Sequence, residues 1–382
     1  MMFTFPLNVP LVYQNILHSH SHFAILGWVY NILYIALAYT FVKDDKKLKK
    51  YNVLFWITQV SIVGMLFTFA WQGYAAYSIT FSTMHIFCSY VFIAFILKDL
   101  AGYRESYALK FIYGGLFFLF LSSLGPWGLV FVMLNGLAGT DLYKQAIYFY
   151  LHFQYNGWFV FTLVGLWLKY FEEKGAKYKE GSASISFHLL FFATAGAYFL
   201  SLLNMNIPSS LKYIGIASAF LQINGIRYLY KLLFTNETKA FTGINRTVHL
   251  LFRFSFLALF VKFIMQLISA LPKVGDAAFI SREVTIGFIH LVVLGVISIG
   301  MLGWLSVNKL MPQSRLFSMG CYVFLGGFVL TEMLLFYPAL IMWFNIPSIP
   351  EYIYILFISA LAMLAGVTMI FVSSIIRSAH SE

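Results

Sequence analysis

The chain has 382 residues, of which 61% are hydrophobic and only 10% charged, whereas an ordinary soluble domain carries about 25% charged residues. A chain with so few charged residues has too little polar surface to cover a water-soluble globule. The composition therefore predicts an all-α, polytopic membrane protein. The formal net charge of +11 lies mostly in loops on one side of the predicted bundle, so it calls for no nucleic-acid partner.

Eleven apolar stretches have the length, about 20 residues, that a helix needs to cross a bilayer. In chain order they cover residues 22–42, 53–71, 76–97, 109–134, 145–168, 184–203, 211–233, 248–270, 284–307, 316–344 and 352–376. Their short connections predict a single bundle domain over residues 1–382. It would have a short outer segment at 1–21 and a cytoplasmic tail at 377–382.

The basic residues predict the orientation of these helices. Of the 25 Lys and Arg, 19 lie in the joints after predicted helices 1, 3, 5, 7 and 9 or in the tail. The opposite side holds only Lys144, Lys212, Lys273 and Arg282. Cytoplasmic loops are enriched in Lys and Arg, so we expect the N-terminus outside and the C-terminus inside. The protein would then be a multi-pass protein of the inner (cytoplasmic) membrane.

Histidines from four predicted helices fall in one outer layer of this bundle. They are His18, His20 and His22 at the mouth of helix 1, His85 in helix 3, His152 in helix 5 and His290 in helix 9. A single imidazole inside a membrane helix is commonly hydrogen-bonded to a neighbour, and the first three could form a wet outer loop. Imidazole is also the commonest metal and haem ligand, and the shared depth of several imidazoles favours a ligand role.

The spacing of the first cluster separates its three members. If the helix starts a turn early, at Asn15 or Ile16, then His18 and His22 are four residues apart and share a face, while His20 points away. We expect His22 to be the deepest, followed by His20, with His18 at the rim.

Three short segments resemble a known superfamily. "LHSHSHFAILGWV" is similar to the histidine-bearing second helix of the haem–copper oxidase and nitric oxide reductase subunits, and to the H-x-H opening of that helix in the NnrS family. "LHFQYNGW" resembles the sixth-helix segment in which nitric oxide reductases place a metal-binding histidine, and "IHLVVLGVISIGML" resembles their late histidine helix. Helices 1, 5 and 9 of this chain fall where helices 2, 6 and 10 of those families would.

This resemblance implies a b-type haem held by His22 or His20 together with His290. It places His152 at a second metal or haem site, where copper is one expected ion. Electron transfer or nitric oxide or oxygen redox chemistry is the implied activity, with a quinol or a cytochrome as electron donor. The adjacent histidine pair of the oxidases is absent, since His188 is single.

Three further ionisable residues lie at membrane depth or at its outer edge. Lys262 in helix 8 and Arg282 before helix 9 could pair with haem propionates by charge-assisted hydrogen bonds or extend to lipid headgroups. Glu332 in helix 10 could relay protons or hydrogen-bond to a neighbouring helix.

Two other functions fit the same composition. One is a transporter or channel whose outer vestibule uses histidines to bind protons or metal ions. The other is a non-catalytic membrane subunit that binds no cofactor. The sequence contains no pair of broken helices in matching positions, which argues against the common transporter folds.

Overall fold

The computed structural model describes residues 12–271 and 281–379, and every regular element in these ranges is a helix. In chain order they are α1 (Tyr13–His22), π1 (Phe23–Tyr30), α2 (Asn31–Phe41), α3 (Asp45–Gln72), α4 (Ala76–Leu100), α5 (Tyr107–Ser122), α6 (Leu124–Leu134), α7 (Asp141–His152), π2 (Phe153–Phe159), α8 (Val160–Glu173), α9 (Glu180–Ala197), a short 3₁₀ helix (Tyr198–Leu202), α10 (Ser209–Ala240), α11 (Arg246–Ser269), α12 (Arg282–His290), π3 (Leu291–Ser298), α13 (Ile299–Val307), α14 (Arg315–Phe344) and α15 (Tyr352–Ala379). The predicted all-α fold is confirmed.

Within the described ranges, nine helices are long and apolar enough to cross a membrane. They are Tyr13–Phe41, Asp45–Gln72, Ala76–Leu100, Tyr107–Leu134, Gly181–Leu202, Arg246–Ser269, Arg282–Val307, Arg315–Phe344 and Tyr352–Ile376. This is the organisation of a multi-pass membrane protein. The predicted spans 145–168 and 211–233 are also helical but are not among the nine. The count of eleven therefore stays a prediction, as does the orientation.

The surface of the helices agrees with a lipid environment. Trp56, Phe67 and Met333 are each more than 60% exposed. Side chains of this size and polarity are stable on a surface when hydrocarbon rather than water surrounds it. The span Tyr352–Ile376 combines the highest mean hydropathy of the nine, 2.6, with only 17% of its window buried, so most of its apolar side chains face outward.

Helix boundaries follow local sequence signals. Asp44, Ser106 and Thr140 each accept a hydrogen bond from a first-turn N–H of the helix that they precede. The predicted fourth span is interrupted at Ser123. Pro126 lies in the first turn of α6, where backbone N–H groups have no partner within the helix, so the N–H that proline lacks costs no hydrogen bond.

The described chain divides into two compact units. The first unit contains the residues up to Tyr198 together with Arg227–Asn236, and the second contains Phe199–Ile226 and the residues from Glu237 onward. The single domain predicted from the sequence stays a prediction. The outer part of the predicted 1–21 segment, Lys273 and the end of the predicted tail lie outside the described residues.

Candidate functional site

Three histidines each end an α-helix at the point where a π-helical segment begins. His22 precedes π1, His152 precedes π2 and His290 precedes π3. Each π segment is seven or eight residues long. This wide helical form is rare in proteins and is concentrated at functional sites.

The helices that contain these segments are unusually buried. Of the nine candidate spans, Arg282–Val307 and Tyr13–Phe41 have the largest buried shares, 67% and 61%. All residues of π2 are buried, and in α8 only the polar Lys169 and the terminal Glu172 and Glu173 are not. These three helices are therefore core helices of the units to which they belong.

A glycine lies five residues after each of the three histidines, at Gly27, Gly157 and Gly295. Five residues is the hydrogen-bond spacing of a π-helix. Each glycine also lies against a side chain of another helix. A Cβ on Gly157 would lie 2.5 Å from Phe118 Cβ, and one on Gly295 would lie 2.8 Å from Phe328 Cζ. In each H-x4-G pattern, the histidine thus precedes a π segment and the glycine lies in close contact with another helix.

His22 is oriented as metal-ligating histidines commonly are. Its Nδ1 is 2.9 Å from the carbonyl oxygen of His18, and because a carbonyl only accepts, Nδ1 must carry the proton and donate it. Nε2 then bears the lone pair. A backbone carbonyl in this position fixes the tautomer and ring orientation of a ligating histidine. The ring also stacks on Phe69 at 4.1 Å between centroids.

The structure places His18 and His20 in different surroundings. Helix α1 begins at Tyr13, earlier than the predicted 22–42 span, so His18 and His22 do share a face. His18 packs edge-on against Tyr74 at 4.9 Å, and Tyr74 also contacts His22. His20 is exposed. The prediction that His20 points away from the face shared by His18 and His22 agrees with this exposure, because a two-residue offset turns the side chain to the opposite side of the helix. The order of depth of the three histidines stays a prediction.

His85 is a second buried imidazole of the first unit. It lies on α4, is 3% exposed, and packs edge-on against Tyr30 at 4.7 Å between centroids. Its Nε2 has no hydrogen-bond partner among the described residues.

His152 differs from His22 because both of its ring nitrogens are engaged. Nε2 donates to the carbonyl oxygen of Thr194 at 2.8 Å, and Nδ1 accepts from the Asn156 amide at 3.0 Å. The side chain is 2% exposed. To bind a metal, this imidazole would first have to break one of two buried hydrogen bonds. Its geometry is that of a histidine that fixes α7 to α9.

The second unit holds His290, Lys262, Arg282 and Glu332. His290 is half-buried and Arg282 is exposed at the start of α12. Lys262 is fully buried, and its Nζ has no hydrogen-bond partner among the described residues. Glu332 is 9% exposed, and neither carboxyl oxygen has such a partner in the described ranges. The interhelical hydrogen bond considered for Glu332 is therefore not formed here.

The described residues contain no group of three or more His, Cys, Asp or Glu placed to hold a metal ion. A haem iron needs only one or two protein ligands, so His22 remains suited to haem. Sequence reasoning identified all three helix-ending histidines but missed the shared H-x4-G pattern. That signal was readable in "HFAILG", "HFQYNG" and "HLVVLG".

No protein-family model matches this chain, and no curated protein matches it.

Proposed function

We propose that the protein is a b-type haem-binding, multi-pass protein of the inner membrane that acts in electron transfer or in nitric oxide or oxygen redox chemistry. The proposal depends most on one observation. His22 combines a lone pair on Nε2 with an Nδ1–H donated to the carbonyl of His18, at the start of a π segment in a core helix. We assign His22 as an axial ligand.

Aromatic side chains surround His22. Phe69 stacks on the imidazole and Tyr74 packs on its edge, so ring orientation is held by contacts on two sides. His85 and Tyr30 add a buried imidazole and a buried ring in the same unit. Bound haem would supply one-electron chemistry, while these residues would orient its ligand and exclude water.

Only some of the other ligands and partners predicted from the sequence belong to this proposal. His290 as the opposite axial ligand, and Arg282 as a propionate partner, stay predictions from the sequence. His152 is not assigned to a copper or second haem site, because both of its nitrogens are already hydrogen-bonded. A quinol or a cytochrome as donor rests on the resemblance alone.

The test is the absorption spectrum and metal content of the purified full-length protein. We expect a Soret band, a haem-to-protein ratio of about one, and α and β bands on reduction. A colourless protein that contains zinc or copper would instead favour the transporter or channel with a histidine vestibule. A protein with neither would favour a non-catalytic subunit and would contradict the proposal.

A further inference from the structure

Two helices of the second unit meet the π3 helix at the same residue. A Cβ on Gly295 would lie 3.2 Å from Ala258 Cβ on α11 and 2.8 Å from Phe328 Cζ on α14. The Ser255 hydroxyl donates to the carbonyl of Val296 at 2.7 Å, and this bond also fixes α11 to π3. Ala258 and Phe328 are therefore at one level of the unit.

Lys262 and Glu332 lie one turn beyond this shared contact, in the same direction. Each is four residues after its contact residue, a rise of about 6 Å along an α-helix. Helices α11 and α14 run parallel, since Thr247 bonds to Ser318 near the start of both and Phe254 contacts Phe328 further along. Lys262 and Glu332 thus belong to one layer, on two helices that pack against the same third helix.

The third helix places His290 in that layer. It runs antiparallel to the other two, and His290 lies five π-helical residues before Gly295. Phe336, one turn after Glu332, contacts Gly287, which precedes His290. Phe328, one turn before Glu332, contacts Gly295, which follows His290. Glu332 therefore lies at the level of His290. The layer therefore contains one lysine, one glutamate and one histidine.

Lys262 and Glu332 are buried without the partners that such groups require. No ion pair joins either of them to a described residue, and the Lys262 ammonium lies over the face of the Phe263 ring, 4.0 Å from its centroid. Gln266, one turn beyond Lys262, also leaves its Oε1 without a partner in the described ranges. Buried polar groups in this state are commonly bridged by internal water.

We propose that Lys262 and Glu332 form a proton-binding site in the layer of His290, reached by water past Gln266. A net charge buried at this depth is costly, so the pair is most stable as an ammonium and a carboxylate, whose charges balance. Gain or loss of one further proton changes the net charge of the layer. The ligand of this site is a proton delivered by water, and the proposal does not depend on haem.

Few other charged or titratable groups lie on the described helices around this pair. They are Arg282, Glu283 and His290 on α12, Arg246, His249 and Arg253 towards the opposite end of α11, and Arg315 at the start of α14. The described part of α15 that packs on α14, residues 352–376, contains tyrosines but no Asp, Glu, Lys or Arg. Among the described residues of these helices, Lys262 is therefore the cation in the same layer as Glu332.

The test is pH-difference infrared spectroscopy of the full-length protein in lipid nanodiscs, in H₂O and D₂O, at a fixed redox state. We expect a carboxylic acid C=O band that changes with pH and is absent in Glu332→Gln. In Lys262→Met, the loss of the nearby cation should increase the proton affinity of Glu332 about tenfold or more, which moves the midpoint to higher pH. Glu283→Gln and Lys144→Met, at exposed or helix-end positions, are the matched controls and should change neither band nor midpoint.

A band that persists in Glu332→Gln, or a midpoint unchanged in Lys262→Met, would overturn the proposal. If Glu332→Gln does not fold, Glu332→Asp keeps the test decisive, because the band must then shift in frequency. The same measurement on haem-free His22→Ala protein separates this proposal from the haem assignment, since the band should be retained there.

Discussion

His22 and His152 each precede a π segment, but they differ in how many of their ring nitrogens are hydrogen-bonded. Both are followed by a π segment and by a glycine five residues later. His22 donates from Nδ1 to the carbonyl one turn before it and leaves Nε2 with a lone pair, whereas His152 uses both nitrogens to bind Thr194 and Asn156. The same backbone motif can therefore present an imidazole as a ligand or use it to join two helices.

The largest effect should come from removing the ligand. His22→Ala should lose the Soret band, and imidazole added during purification should restore it, because the small cavity left by the side chain admits a free ligand. His20→Ala is the matched control, since His20 is exposed on the same helix, and it should keep full haem content. A haem content in His22→Ala equal to that in His20→Ala would contradict the assignment.

Removing His152 should affect stability rather than cofactor content. His152→Ala leaves the Thr194 carbonyl and the Asn156 amide without their partner and opens a buried cavity, so we expect a loss of about 3 kcal/mol in the free energy of unfolding. Thermal or denaturant unfolding in detergent measures this loss. Loss of a metal at unchanged stability would instead mean that His152 is a ligand.

The glycines provide a smaller test of the shared motif. A Cβ at Gly157 would lie 2.5 Å from Phe118 Cβ, which is attached to the backbone and cannot swing away, so Gly157→Ala should cost about 1–3 kcal/mol of stability. At Gly27 the nearest atom is Ile62 Cγ2 at 3.1 Å, the end of a side chain that can move. Gly27→Ala should therefore cost less, and equal unfolding midpoints for the two variants would contradict the packing argument.

The smallest effect should follow from removing one of the two hydrogen bonds of the His152 ring. Asn156→Leu removes the donor to Nδ1, and we expect a loss of about 1 kcal/mol in the free energy of unfolding, together with an unchanged haem spectrum. A spectral change in this variant would show that His152 lies at the cofactor.

The sequence predicted the fold class and the histidine-bearing helices because hydrophobic runs and helical periodicity are local signals. The shared face of His18 and His22 was also predictable, since it needs only a helix that starts a turn early. The bond from His152 to Thr194 was not, because it joins residues 42 positions apart whose rotamers depend on packing. The common level of Lys262 and Glu332 likewise depends on the meeting of two helices at Gly295.

The most direct test of the account is the haem-to-protein ratio of His22→Ala and His152→Ala, purified side by side and compared with the unmodified protein. We expect a ratio near zero in the first variant and an unchanged ratio in the second. The reverse result, or equal ratios in both variants, would contradict the claim that hydrogen bonding distinguishes the ligand histidine from the structural one.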